Sequence, residues 1–309
     1  MKLKVKELLN LNFNLQGYSY FAPNFGDRVQ ENIKKNIALI VHACDRYELL
    51  FKGFEYFFSK NWNFEIPLKY YFATEEKSVN MVHFTNIKSG KGEWSDRLSN
   101  LLDQIDEEYV IYFQEDMWLN KPVDKDFFKE LIEMTLTHRW PLVKLNSSEV
   151  FKTNATDLYI KGFNVSLLNN QESGFLMSHQ VSLWNKKFLK QQLKPGEHPW
   201  RNERKGTKRL RKLDPEIRHV DYFAENGNAA INKNATEIIR SEYQSISFNA
   251  TLHQNTIPFL EKLKTDPDVA AYTAQLIHNY THQLTHDGKP KPLKKDVFKQ
   301  IKDWLKGKS

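Results

Sequence analysis

From residue 37 onward the chain alternates between two hydrophobic periods. An unbroken apolar run, Ile37 to Val41, predicts a strand buried on both faces. Leu49, Leu50, Phe54, Phe57 and Phe58 then recur at helical spacing behind Asp45, predicting an amphipathic helix. Second and third strands fit Ile66 to Ala73 and Met81 to Phe84, and EWSDRLSNLLDQID places Leu98, Leu101, Leu102 and Ile105 on one helical face. YVIYFQ is a fourth strand, Pro122 and Asp124 open the helix DKDFFKELIEMTLTHRW, and PLVKLN is a fifth strand. This alternation of strand and helix predicts an α/β fold with a mainly parallel sheet flanked by helices.

After residue 146 the alternation loosens into a stretch rich in Asn, Ser and Thr. GFLMSHQVSLWNKKFLKQQL reads as a short strand followed by a helix capped near Asn185, and PGEHPWRNERKGTKRLRK as a loop with a short helix. A further strand is expected near Ile217 to Phe223. The predicted organisation is an N-terminal arm (1–36), a main domain (37–255) divided near residue 146, and a helical C-terminal extension (256–309). The extension ends in DVFKQIKDWLKGKS, a basic amphipathic helix with Phe298, Ile301, Trp304 and Leu305 on one face.

Composition narrows the class. Of 309 residues, 27% are charged and 13% aromatic, which excludes a disordered chain. No apolar run reaches the roughly 18 residues of a membrane span, and MKLKVKELLN is too polar for a signal-peptide core. A soluble, cytoplasmic protein is expected, with the basic terminal helix offering peripheral contact with the cytoplasmic face of a membrane or packing onto the domain. The single cysteine, Cys44, rules out an intramolecular disulfide and a cysteine metal cage. A net charge of +7 points to an anionic partner: nucleic acid, a phosphorylated small molecule or a membrane surface.

Chemistry is expected first where strands end. In open α/β sheets, ligands lie beyond the carboxyl ends of the strands. Glu115 and Asp116 follow the fourth strand there, and such acids suit a hard cation, Mn2+ or Mg2+. HACDR follows the first strand, so His42, Ala43, Asp45 and Arg46 stand where a nucleotide base or ribose would rest; Asp45 equally serves as a helix cap. Arg97 reaches a phosphate or is an ordinary surface arginine. His179 belongs to the site or to the core. EHPWRNE sets Glu197, His198 and Glu203 around Trp200. Glu203 is either a general base raised in a cleft or the partner of Arg201 or Arg204. The basic run from Lys186 to Arg218, which includes Lys205, is a solvated face, a flexible neutraliser of a departing diphosphate, or a nucleic-acid surface.

The ordered series IALIVHACDRYELL, WSDRL, YVIYFQEDMWL, SHQVSLWNKKFL and PGEHPWRNE resembles bacterial and large-virus sugar-nucleotide-dependent glycosyltransferases of the GT-A type, over roughly residues 36 to 225. The resemblance implies a GT-A-like, Rossmann-type mixed sheet and a role in surface-polysaccharide synthesis. It implies that Asp116 occupies the position of the metal-binding acid of an Asp-x-Asp-like element. Gln114 stands where many members carry the first aspartate, so Glu115 assists or points away. Glu203 matches the later acidic element that supplies the base of inverting members, with retention as the alternative outcome. The nucleotide-sugar set is then His42, Ala43, Asp45, Arg46, Arg97, Glu115, Asp116, His179, Trp200 and Lys205. The implied partners are a nucleoside-diphosphate sugar and a glycan or glycolipid acceptor. The competing classes are a nucleic-acid-binding protein or metal-dependent nuclease using residues 186–218, and a non-catalytic module of a polysaccharide assembly.

Overall fold

The computed structural model describes residues 36–231 and 239–291. Most of the N-terminal arm and all four apolar residues of the terminal basic helix therefore lie outside the described residues. In chain order the strands are β1 (Ile37–His42), β2 (Lys69–Thr74), β3 (Thr85–Lys88), β4 (Tyr109–Gln114), β5 (Met117–Leu119), β6 (Leu142–Asn146), β7 (Thr153–Asn154), β8 (Tyr159–Ile160), β9 (Phe163–Asn164), β10 (Ser166–Leu168), β11 (Ser182–Asn185), β12 (Ile217–Glu225), β13 (Ser241–Ser245), β14 (Ser247–Phe248) and β15 (Thr251–Leu252). The helices are α1 (Phe51–Asn61), α2 (Trp94–Asp103), α3 (Lys125–His138), α4 (Lys186–Gln192), α5 (Pro199–Leu213), α6 (Ile257–Lys264) and α7 (Ala270–Thr281).

The main sheet runs β3-β2-β1-β4-β11-β6-β12-β10-β7, with β13 branching from β12 and pairing β5. Strands β3, β2, β1 and β4 are mutually parallel, as are β6, β12 and β13, while β11 is inserted antiparallel between β4 and β6. The expected mixed, mainly parallel sheet flanked by helices is what the chain forms. Alternation along the strands divides its core in two. Ile37, Leu39, Val41, Ile111, Phe113, Val143 and Leu145 face α1 and α3. Ala38, Ile40, Val110, Tyr112, Leu142, Trp184 and Ile217 share the other face with residues of α2, α4 and α5. Phe259, Leu260, Leu263, Tyr272 and Leu276 of α6 and α7 belong to the first core, so this part of the extension packs into the main body.

Three expected elements are corrected. The third strand is Thr85–Lys88; Met81 to Phe84 form a turn, with the Phe84 N–H on the Met81 carbonyl at 3.2 Å and His83 at φ 71°. Its apolar character comes from Phe84, which packs on Phe54, Phe58 and Phe72 from the turn rather than from a strand. The second strand starts only at Lys69, because a tight turn from the Leu68 N–H to the Ile66 carbonyl spans Pro67, which has no N–H to offer a ladder. The basic segment is one fifteen-residue helix rather than a loop with a short helix. Pro199 sits in its first turn and Asp214 closes it in the left-handed conformation. Asn202, Gly206 and Leu210 form a narrow buried stripe at four-residue spacing, too sparse to stand out within a charge run.

Gly53 of α1 lies against Trp118, and an added Cβ would come within 2.1 Å of the indole ring and 2.7 Å of the Tyr272 hydroxyl. That hydroxyl accepts the Gly53 N–H at 2.9 Å and donates to the Leu49 carbonyl at 2.8 Å. Gly53→Ala gains roughly 1 kcal/mol of helix propensity, yet overpacking should outweigh it, leaving the protein about 1–3 kcal/mol less stable in urea unfolding. Unchanged or greater stability would show that α1 lifts off Trp118 without strain.

Candidate active site at the strand ends

Parallel pairing brings the carboxyl ends of β1, β4, β6 and β12 to one edge of the sheet, and the reversed β11 begins at that edge. Between β1 and β4 the strand order changes direction, which opens a crevice there. His42, Glu115, Asp116, Asn146, His179 and Glu225 are gathered along this edge by topology alone.

On the β1–β2 side, Ala43 donates its N–H to the Ala73 carbonyl at 2.8 Å. Asp45 makes no helix cap: the turn that follows is preceded by Cys44 and has no side-chain cap. Its carboxylate instead accepts the N–H groups of Glu75, Glu76 and Lys77, each at 2.9 Å, tying the β1 loop to the β2 loop. In return Glu75 accepts the Asp45 N–H at 3.0 Å. Arg97 is no surface arginine; it is buried, with Nη1 2.9 Å from Glu75 Oε1, an ion pair that lacks hydrogen-bond alignment. Arg46 points outward, half exposed, 3.7 Å from Asp287. Beyond Asp45 and Arg46 lies an open cavity of about 520 Å³, lined also by Tyr272, Asn279 and His286.

Glu115 is 4% exposed and accepts the Cys44 N–H at 3.2 Å, while Asp116 is partly open to solvent. Burial holds both acids above the ordinary carboxylate range; Asp116 adds to the effect on Glu115, and Glu225 adds to that on Asp116. His42, in the row beside Gln114, shares a hydrogen bond between Nδ1 and the Tyr112 hydroxyl at 3.2 Å, and burial keeps its ring neutral.

Helix α5 delivers Glu203 to the same edge. A Cβ at Gly206 would meet Met177 at 2.7 Å, so this glycine lets α5 approach the 177–179 segment closely. Met177 donates its N–H to Thr207 Oγ1 at 3.2 Å, and His179 donates its N–H to Glu203 Oε1 at 3.1 Å. The His179 ring lies 4.0 Å from Trp94 and 3.3 Å from Asn202 Oδ1, with burial pushing its pKa down to about 3. Burial raises Glu203, against the opposing pull of the His179 N–H and Lys144. Arg201 and Arg204 are exposed and make no ion pair with Glu203. Glu197 is held by Arg209 at 2.8 Å and by Asn202 Nδ2 at 2.8 Å. Trp200 is 68% exposed against His198, and exposed Lys205 stands about 200° round the helix from Glu203. These two are not gathered with the others.

The edge also holds residues that sequence reasoning missed: Glu75, Tyr112, Lys144, Asn146, Ser178 and Glu225. Lys144 is fully buried and donates to Ser178 Oγ at 2.8 Å. Glu225 accepts from Asn146 Nδ2 at 2.8 Å and is raised by burial. Its charge acts on Asp116, and together with Glu203 it acts on Lys144, so one polar band joins the two acids singled out in the sequence. Signals existed: Lys144 interrupts an otherwise apolar strand, and Glu225 ends a strand expected to stop at Phe223. Several buried polar atoms that find no hydrogen-bond partner among the described residues lie at this edge: His42 Nε2, Trp94 Nε1, Arg97 Nε and Asn146 Oδ1. Such groups are rare in folded proteins and call for a polar ligand or water. Among the described residues, no three His, Cys, Asp or Glu side chains form a metal cluster. A cation at Asp116 would therefore need oxygens from its ligand.

No family model and no curated protein matches the chain. Among solved structures, residues 1–349 of S. aureus TarS align over 80% of this chain and 71% of that one, with 10% identity and a TM-score of 0.42. The same TarS fragment in complex with UDP gives 10% identity and 0.43, and in complex with UDP-GlcNAc 11% and 0.41. At these values neither family nor activity passes from one chain to the other.

The raised acids make a pH prediction. Unfolded carboxylates lose their protons first, so stability falls as pH rises from the ordinary carboxylate range through the elevated native one. In chelator, the Glu115 contribution to urea stability should therefore decline from pH 5.5 to pH 8, against the opposite contribution of the buried neutral histidines and Lys144. Glu115→Gln should remove that decline, on the order of 1 kcal/mol. Parallel pH profiles for the two proteins would show that Glu115 carries no strain.

Proposed function

We propose that this chain is a glycosyltransferase, moving a sugar from a nucleoside-diphosphate donor to a hydroxyl of a glycan or glycolipid acceptor, in surface-polysaccharide synthesis. One observation carries the reading: Asp116 and Glu203 belong to a single polar band, linked through Glu225 and Lys144, at the switch point of the sheet, bordered by buried polar atoms that find no hydrogen-bond partner among the described residues. His42 Nε2, Trp94 Nε1 and the Arg97 guanidinium are the groups suited to a nucleoside diphosphate. Asp116, partly open and beside Glu225, fits a divalent cation, Mn2+ or Mg2+, completed by the donor's phosphate oxygens. When bound, that cation supplies charge neutralisation to the departing diphosphate.

Glu203 Oε1 is committed to the His179 N–H, which leaves Oε2 to accept the proton of the acceptor hydroxyl. A carboxylate raised by burial is the better base near neutrality. The acceptor oxygen forms its bond to the anomeric carbon as the bond to the diphosphate oxygen breaks. The proton ends on Glu203, and a single displacement inverts the anomeric centre. Positioning of both substrates and stabilisation of the leaving charge supply most of the acceleration.

The nucleic-acid reading draws on Arg201, Arg204, Lys205, Lys208 and Lys212, which share an exposed stripe of α5. That stripe faces away from Glu203, and a nuclease generally needs more carboxylates converging on its metals than this edge offers. No helix among the described residues is long and apolar enough to cross a membrane. Peripheral contact through the terminal basic helix belongs to the proposal.

Two outcomes are expected. In thermal shift, one nucleoside diphosphate should stabilise the protein in a manganese-dependent manner that Asp116→Ala abolishes; stabilisation by mixed oligonucleotides alone would favour the nucleic-acid reading. Glu203→Gln should lower transfer by about 100-fold or more while leaving nucleotide binding nearly intact, and wild-type turnover in that variant would place the base elsewhere.

A further inference from the structure

Lysine is almost never fully buried without an anionic partner. Lys144 is 0% exposed in the middle of the sheet, in register with Ser182 of β11 and His219 of β12. Its ammonium nitrogen has the Ser178 hydroxyl at 2.8 Å and the Phe151 ring at 5.1 Å, but no ion-pair partner among the described residues. A hydroxyl and a ring face are poor compensation for a buried charge, and a purely structural role would be served better by an apolar residue.

The groups around it show what the charge faces. Glu203 comes from α5 and Glu225 from the end of β12, and both act on Lys144 as anions. The other titratable neighbours carry little charge near neutrality. Burial holds His179, ahead of β11, and His219, on β12, down as neutral rings, and holds the Tyr112 hydroxyl of β4 far up. Asp221, further along β12, is paired with Arg240 at 2.7 Å. Lys144 is thus the cation set against two raised carboxylates. Ser178, which accepts its hydrogen bond, directly precedes His179, whose N–H holds Glu203 Oε1.

We infer that Lys144 is a positioning residue for the proposed reaction: through the Ser178–His179 segment and its own charge it orients Glu203 and keeps it a carboxylate, ready to take the acceptor's proton. This rests on Glu203 being the base. Burial brings Lys144 itself down to about 7, so its own ionisation falls in the working pH range.

The test is the pH profile of transfer by Lys144→Met, with Lys144→Gln as a second variant that keeps a donor for Ser178 but no charge. Loss of the cation raises Glu203, so the acid limb should move up by about one pH unit, lowering activity about tenfold below it, while donor affinity at high pH stays within about threefold. Independently of activity, 13C- and 15N-labelled lysine NMR should show one lysine titrating near neutrality in the wild type, and lower still in Glu203→Gln. A wild-type acid limb in a folded Lys144 variant, or a Lys144 signal titrating near 10, overturns the inference. Loss of transfer in Glu203→Gln alongside either result leaves the function standing, whereas full activity in Glu203→Gln removes the base itself.

Discussion

A carboxylate withdrawn from water must find a donor or a cation, or it will hold its proton. The site depends on this constraint. Parallel strands end together, so every polar residue closing β1, β4, β6 and β12 is delivered to one edge, and the helices α2 and α5 then cover the face beneath it. Glu115, Asp116, Glu203 and Glu225 are thereby withdrawn wholly or in part from solvent in one neighbourhood. Their compensation is incomplete: one buried lysine, a few backbone N–H groups and asparagine amides. A fold optimised for stability alone would fill this edge with apolar residues. Keeping the acids there is reasonable when a cationic or hydrogen-bonding ligand completes the set.

The packing serves that edge. The Asp45 carboxylate, which accepts three consecutive N–H groups, fixes the β1 loop against the β2 loop and sets one wall of the crevice. Gly206 lets α5 close against Met177, which brings Glu203 within reach of the His179 N–H. On the other face, α1 settles on Trp118 at Gly53, and Tyr272 of the C-terminal helices bonds back to the same turn. Gly53 and Gly206 therefore act through the contacts they permit rather than through unusual backbone angles.

The alternation of apolar runs and helical faces made the order of β1, α1, α2, β4, α3 and β6 legible, because each buries a continuous face. The caps at Asp124 and Asn185 were legible for a local reason, since each accepts N–H groups just ahead of it. What sequence could not show were roles set by distant partners. Asp45 looks like a helix cap until the β2 loop is seen to supply its donors. Helix α5 read as a loop with only a short helix because three residues in fifteen are buried. Arg97 stayed open between a phosphate contact and a surface arginine because its burial depends on Glu75 and the β1 edge. Lys144 and Glu225 went unread because their local marks, a lysine inside an apolar strand and an acid just past an expected strand end, carry no role until the register sets them between Asp116 and Glu203.

The central claim is that the ligand sits at the ends of β1, β4, β6 and β12 and not in the cavity of about 520 Å³ beyond Asp45. Hydrogen–deuterium exchange with and without a nucleoside-diphosphate sugar and manganese addresses this directly. The account predicts slowed exchange in peptides covering residues 42–46, 74–77, 114–117 and 178–181. Protection confined to residues 272–288, or none at any donor concentration, would contradict it.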